Sequence, residues 1–112
     1  MTRNALGEFE HLILLAILRL GPDEAYGARI IDELEERTGR EVVQAAAYVA
    51  LRRLREKGLI KSRIGSGTAE RGDRARRYFR LTAEGRVRLR ESAQALFSMW
   101  DGLDPGLRTR KT

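Results

Sequence analysis

The chain has 112 residues, a formal net charge of +6 and no cysteine, which excludes a disulfide framework and any thiolate metal site. A single histidine leaves no ligand set for a transition metal, and no cofactor is expected. The longest apolar run, residues 12–18, is too short to cross a bilayer and no signal-peptide pattern surrounds it, so a cytoplasmic single-domain chain without membrane contact is expected.

The charge is unevenly spread. Residues 1–51 carry a net −4, residues 52–90 a net +10, and the last 22 residues balance. A cationic middle beside an acidic first half suits a face directed at a polyanion, the alternative being a merely solvated basic surface.

Residues 8–20 are predicted to be a helix, closed by Gly21-Pro22. Phe9, Leu12, Ile13, Ala16, Ile17 and Leu20 form one stripe, and Leu14, Leu15 and Leu18 a second on the other side. Two stripes imply burial on both sides, with a second subunit covering Leu14, Leu15 and Leu18, or else a helix central to one core. His11, on the second stripe, reads as structural rather than catalytic.

A second helix is expected over 25–38, with Tyr26, Ile30, Ile31 and Leu34 inward and Gly39 as its C-terminal cap. Its outer face holds Asp32, Glu33, Glu35 and Glu36, which would repel phosphate, so this helix supports rather than reads nucleic acid. The third helix, 43–57, buries Ala47, Leu51 and Leu54. Ala45, Val49, Arg52, Arg53 and Glu56 lie opposite, flanked by Gln44, Tyr48 and Arg55. Arginine on a free helix face can bond guanine bidentately or hold phosphate, and the sequence leaves both open.

Two strands follow. Ile60, Ser62 and Ile64 alternate with Lys61 and Arg63 over 59–64, and Phe79 and Leu81 alternate with Tyr78 and Arg80 over 76–81. The glycine-rich link between them carries Arg71 and Arg74, and the whole reads as a β-hairpin wing with a mobile basic tip. Thr82 then caps a helix whose Leu89, Ala93, Leu96, Trp100 and Leu103 repeat at coiled-coil spacing, widened by Phe97 and Met99. Nothing in the same chain is left to cover that stripe, so it reads as a dimerisation helix. The expected division is 1–81 for DNA binding, 82–104 for dimerisation and 105–112 as a disordered tail.

The order α-α-α-β-β-α is that of a mainly α (α+β) winged helix: a three-helix helix-turn-helix core, a two-stranded β-wing and a C-terminal helix. The ordered blocks Leu6-Gly7, Leu14-Leu15-Ala16-Ile17-Leu18, Ala25-Tyr26-Gly27, Tyr48-Val49-Ala50-Leu51-Arg52-Arg53-Leu54, Lys57-Gly58-Leu59-Ile60 and Arg77-Tyr78-Phe79-Arg80-Leu81-Thr82-Ala83-Glu84-Gly85 resemble the PadR family of bacterial transcriptional regulators. The resemblance implies a homodimer that binds double-stranded DNA at a palindromic operator, usually as a repressor. It also implies that Tyr48, Arg52 and Arg53 contact the major groove, and that Lys61, Arg63, Arg76 and Arg77 act from the wing. The first and last helices would exchange contacts between protomers.

The chain departs from the family pattern at Val43 and Ala45, where serine and glycine are common, and at Val49, where proline or threonine is. Valine offers no oxygen for a cap, and Val49 could instead touch a thymine methyl. Some small family members take flat aromatic ligands between the aromatics of their C-terminal helices. On that resemblance Phe97, Met99 and Trp100 are candidates for a small aromatic effector, with plain interface packing the simpler reading. Catalysis is not expected. Glu35 and Glu36 read as a solvated face, and Gly65-Ser66-Gly67 lacks the strand and helix of a nucleotide loop. The rival from another class is a winged helix that binds protein and has no specific DNA site.

Overall fold

A computed structural model describes residues 6–65, 76–103 and 105–108. Its elements are α1 (Glu8–Leu20), α2 (Gly27–Thr38), α3 (Gln44–Glu56), β1 (Ile60–Gly65), β2 (Arg76–Leu81), α4 (Ala83–Trp100) and the single turn α5 (Pro105–Arg108). The expected winged-helix order is present. Residues 105–108 form a helical turn that begins at proline, a residue whose fixed φ suits a first helical position. Arg71, Arg74 and the rest of the hairpin tip lie outside the described residues, as do 109–112.

The core is built around α1. Ile13, Leu14, Ala16 and Ile17 are buried there with Ala25, Ile30 and Leu34, with Ala50, Leu51 and Leu54 of α3, and with Leu59, Ile60, Phe79, Leu81 and Leu89. Two interface expectations are corrected here. Leu14 is 0 % exposed and Leu89 6 %, so both are consumed by the chain's own core and have no surface left for a partner. The physical reason is helix geometry: Leu14 sits only about 100° around α1 from Ile13, at the edge of the same buried arc. Leu89 belongs to the first half of α4, which lies against that core. Leu15 and Leu18 remain exposed.

The wing is an antiparallel pair in which Ile60 faces Leu81, Ser62 faces Phe79 and Ile64 faces Arg77. Period two holds throughout, yet Ile64 is exposed, because the strands run past the end of the core. A third strand position, absent from the sequence reading, flanks β2. Tyr26 forms a bridge with Tyr78, and the Phe79 N–H donates to the Ala25 carbonyl at 2.9 Å.

The acidic first half is used for attachment. Arg40 donates to both oxygens of Glu8 at 2.9 and 3.3 Å, and Lys57 Nζ reaches Glu10 at 3.0 Å, so the first turn of α1 holds the segments before and after α3. The guanidinium holds the Glu8 carboxyl below its ordinary range, and Glu8 raises Arg40 in return. Exposed pairs of this kind contribute little stability, and their effect here is on geometry. Glu35 accepts the Val42 N–H at 2.9 Å, and Thr38 accepts the Arg40 N–H at 3.1 Å beside the left-handed Gly39 cap (φ 69°). These bonds set the α2–α3 turn.

Thr82 latches α4 to the α3–β1 connection. Its N–H donates to the Leu59 carbonyl, its hydroxyl donates to Gly58 O at 2.7 Å, and the Thr82 Oγ1 in turn accepts the Gly85 N–H at 3.0 Å. A β-carbon at Gly85 would overlap the Leu59 carbonyl oxygen, so only glycine allows this approach. Beyond Ala93 the residues of α4 are exposed. The molecule measures 54 × 42 × 22 Å with a radius of gyration of 15.9 Å, above the ~13 Å of a compact chain this long.

Candidate nucleic-acid interface

The buried stripe of α3 is Ala47, Ala50, Leu51 and Leu54. Helical geometry therefore turns Ala45, Val49, Arg52 and Glu56 directly outward, with Gln44 and Tyr48 on one flank and Ala46 and Arg53 on the other; all eight are exposed. Among the described residues, no hydrogen bond or ion pair engages the side chain of Arg52 or Arg53. Two guanidiniums are thus available at the outer surface of a helix whose other side is fixed in the core.

Tyr48 is positioned by the start of α2. Its ring lies against the α-carbon of Gly27, where a β-carbon would stand 2.5 Å from Cε1 and 2.6 Å from the hydroxyl oxygen. Tyr26, Gly27, Ala28, Tyr48, Arg76, Arg77 and Phe79 border a cleft of about 400 Å³. The fold therefore gathers Tyr48 with two of the predicted wing arginines at one place, although 28 residues separate Tyr48 from Arg76.

The two faces of the wing differ. Arg77 lies on the face with Ser62 and Phe79 and donates to the Ser62 hydroxyl at 2.8 Å; Arg55 of α3 reaches the same oxygen at 3.4 Å. Lys61, Arg63, Arg76, Tyr78 and Arg80 lie on the opposite face. There the Arg63 guanidinium sits 4.6 Å from the Tyr78 ring centroid and that of Arg76 sits 4.2 Å from Tyr26. The two tyrosines meet edge to face at 5.6 Å. Arg63 also donates to the Pro22 carbonyl at 3.0 Å and pairs with Asp23 at 3.5 Å. Stacking of this kind is worth roughly 0.5–1 kcal/mol per pair at exposed sites, and it restricts where the cations point. Tyr26, Gly27 and Tyr78 were not singled out from sequence as members of this site.

Of the proposed dimer residues, Ala93 is half-buried, while Leu96 (51 %), Trp100 (38 %) and Leu103 are exposed, as are Leu15 and Leu18. Phe97 and Met99 are also exposed. The apolar groove, about 750 Å³, lies nearer the start of α4, between α1 and α4, and includes Leu12, Leu15, Ala95 and Leu96 with His11 and Ser92. His11 Nδ1 and Ser92 Oγ are 2.8 Å apart, and burial pushes the His11 imidazole below its ordinary pKa. Among the described residues no helix is long and apolar enough to cross a membrane, and no acidic or histidine group could hold a metal ion.

A helix-turn-helix with an unengaged arginine pair on its second helix, flanked by a basic two-stranded wing, defines a winged-helix DNA-binding protein. The model of the transcriptional regulator PadR-like family matches residues 14–91. The chain belongs to that family and is a DNA-binding transcriptional regulator. It is similar to a PadR family transcriptional regulator from Eggerthella lenta DSM 2243, with 30 % identity over 92 % of this chain and 88 % of that one, at a TM-score of 0.67. A PadR-like transcription factor from Bacteroides fragilis shares 27 % identity over 81 % and 82 % of the two chains, also at 0.67. A PadR-like regulator from Bacillus cereus, 22 % identical over 92 % and 93 %, shares the fold at 0.69. A search of curated proteins found no match.

Proposed function

We propose that the chain is a homodimeric repressor that binds a palindromic operator, with α3 in the major groove and the wing beside the phosphate backbone. The observation that carries this reading is the outward pair Arg52 and Arg53, which the fold leaves without an internal partner on a helix fixed from behind. Tyr48, Gln44 and Val49 extend the reading face, while Arg76, Arg77, Lys61 and Arg63 supply charge at its side. Dimerisation is supported by the apolar residues that one chain leaves exposed: Leu15 and Leu18 on α1, and Leu96, Trp100 and Leu103 on α4. Each would be an aggregation liability if uncovered. Repression needs only occupancy of the operator, and such a protein acts in the cytoplasm, where the DNA is. A small aromatic effector between Phe97, Met99 and Trp100 of two protomers belongs to the same reading.

Binding selection from random duplex DNA with the full chain tests this. Enrichment of a palindrome, with affinity falling steeply as salt rises, is expected. Uniform low affinity with no enriched site would instead mark a winged helix that binds protein.

A further inference from the structure

The outward face of α3 is divided along its length. Its second half carries Arg52 and Glu56, with Arg53 on the flank it shares with Ala46. Its first half carries only carbon: Ala45 and Val49 point straight out, Ala46 lies beside them, and Val43, the residue before the helix, is 66 % exposed. The polar side chains of that half, Gln44 and Tyr48, stand on one flank, and Tyr48 is held against Gly27. No residue at the centre of the first half can donate or accept a hydrogen bond.

A helix presented to a major groove in this way can discriminate base pairs by only one apolar feature, the C5-methyl group of a pyrimidine. Every base pair also carries donors and acceptors there, thymine O4 and its partner adenine included, but only thymine adds a methyl that an alanine or valine can meet favourably. Short side chains also let the helix axis come close to the base edges. Val49 precedes Arg52 by three residues, an axial rise of about 4.5 Å, so the base pairs under each are neighbours or next neighbours.

We infer that the first half of α3 reads thymine methyl groups, so that each operator half-site places thymines under Ala45 and Val49 beside the base pairs under Arg52 and Arg53. The inference rests on the DNA-binding reading above. It assigns to Val49 and Ala45 a specificity-determining role through methyl contact, in place of the hydrogen bonds that polar residues would make.

Uracil differs from thymine only by that methyl, so substitution tests the inference without altering pairing. The selected operator is prepared with each thymine of a half-site replaced singly by uracil, and binding is measured by fluorescence anisotropy. At one or two positions affinity should fall about three- to tenfold, and Val49→Ala should reduce that penalty while retaining its own helical circular dichroism. 5-Methylcytosine at the same positions should bind more tightly than cytosine. A specific operator that tolerates uracil everywhere, or a uracil penalty unchanged in Val49→Ala, overturns the inference and leaves DNA recognition standing. Failure to select any operator overturns both.

Discussion

The ring of Tyr48 on α3 rests on the bare α-carbon of Gly27 at the first turn of α2. A methyl group at position 27 would meet the far end of a side chain, not backbone, so the ring can move aside. Gly27→Ala should therefore keep the fold, since alanine favours a helix by up to ~1 kcal/mol over glycine. It should displace Tyr48 and lower operator affinity about three- to tenfold. Thermal melts and anisotropy on the same sample separate the two effects.

Gly85 has the opposite character. Here the obstacle is the carbonyl of Leu59, which is itself bonded to the Thr82 N–H, and neither can yield without shifting α4. Gly85→Ala should destabilise the protein by roughly 2 kcal/mol or more, in the range of overpacked cores. Thr82→Ala, which removes one cap, should cost about 1 kcal/mol. Urea unfolding of the three proteins gives the order: the parent chain, then Thr82→Ala, then Gly85→Ala.

On α4, Leu89 and Leu96 should respond differently to substitution. Leu89 is in the core, so Leu89→Ala should lose about 2–5 kcal/mol of stability. Leu96 is exposed on the chain alone, so Leu96→Asp should leave the fold intact, give monomers on sizing and weaken DNA binding. A dimeric Leu96→Asp would remove α4 from the interface. Trp100 is the sole tryptophan, and its emission should shift on dilution if it sits between protomers.

His11 introduces a pH dependence between α1 and α4. Burial depresses its pKa in the folded state, so the folded protein favours the neutral ring. The associated stability is present above the unfolded value of ~6.5 and is lost as pH falls through the lower folded value. Ser92 faces the ring directly, and Glu8, Arg88 and Glu91 border the same groove. The melting temperature should drop between pH 7 and pH 5, and by less in His11→Asn.

Much of this was legible in the sequence, for identifiable reasons. Ala47, Leu51 and Leu54 define the buried side of α3 by periodicity, and so define its free side with the two arginines. Alternation at Phe79 and Leu81 marks the wing. Leu14 misleads, because the buried arc of α1 is wider than a single stripe and includes it. Tyr26 pairs with β2 at one position, and one residue has no period. The close approaches at Gly27 and Gly85 come from Tyr48 and Leu59, 21 and 26 residues away, and composition carries no trace of them. Glu35 reads as a solvated acid, yet its oxygen accepts a backbone N–H seven residues on.

In the proposed complex Arg52 and Arg53 give this regulator its sequence specificity. The most direct test compares affinity for the selected operator with affinity for unrelated DNA at fixed salt, for the parent chain and for Arg52→Ala/Arg53→Ala. Each bidentate arginine–guanine pair discriminates by about 1–3 kcal/mol, and a dimer presents both arginines twice. The ratio of specific to nonspecific affinity should fall by at least ~100-fold, while nonspecific binding weakens only modestly. A ratio that survives the double substitution would contradict the account.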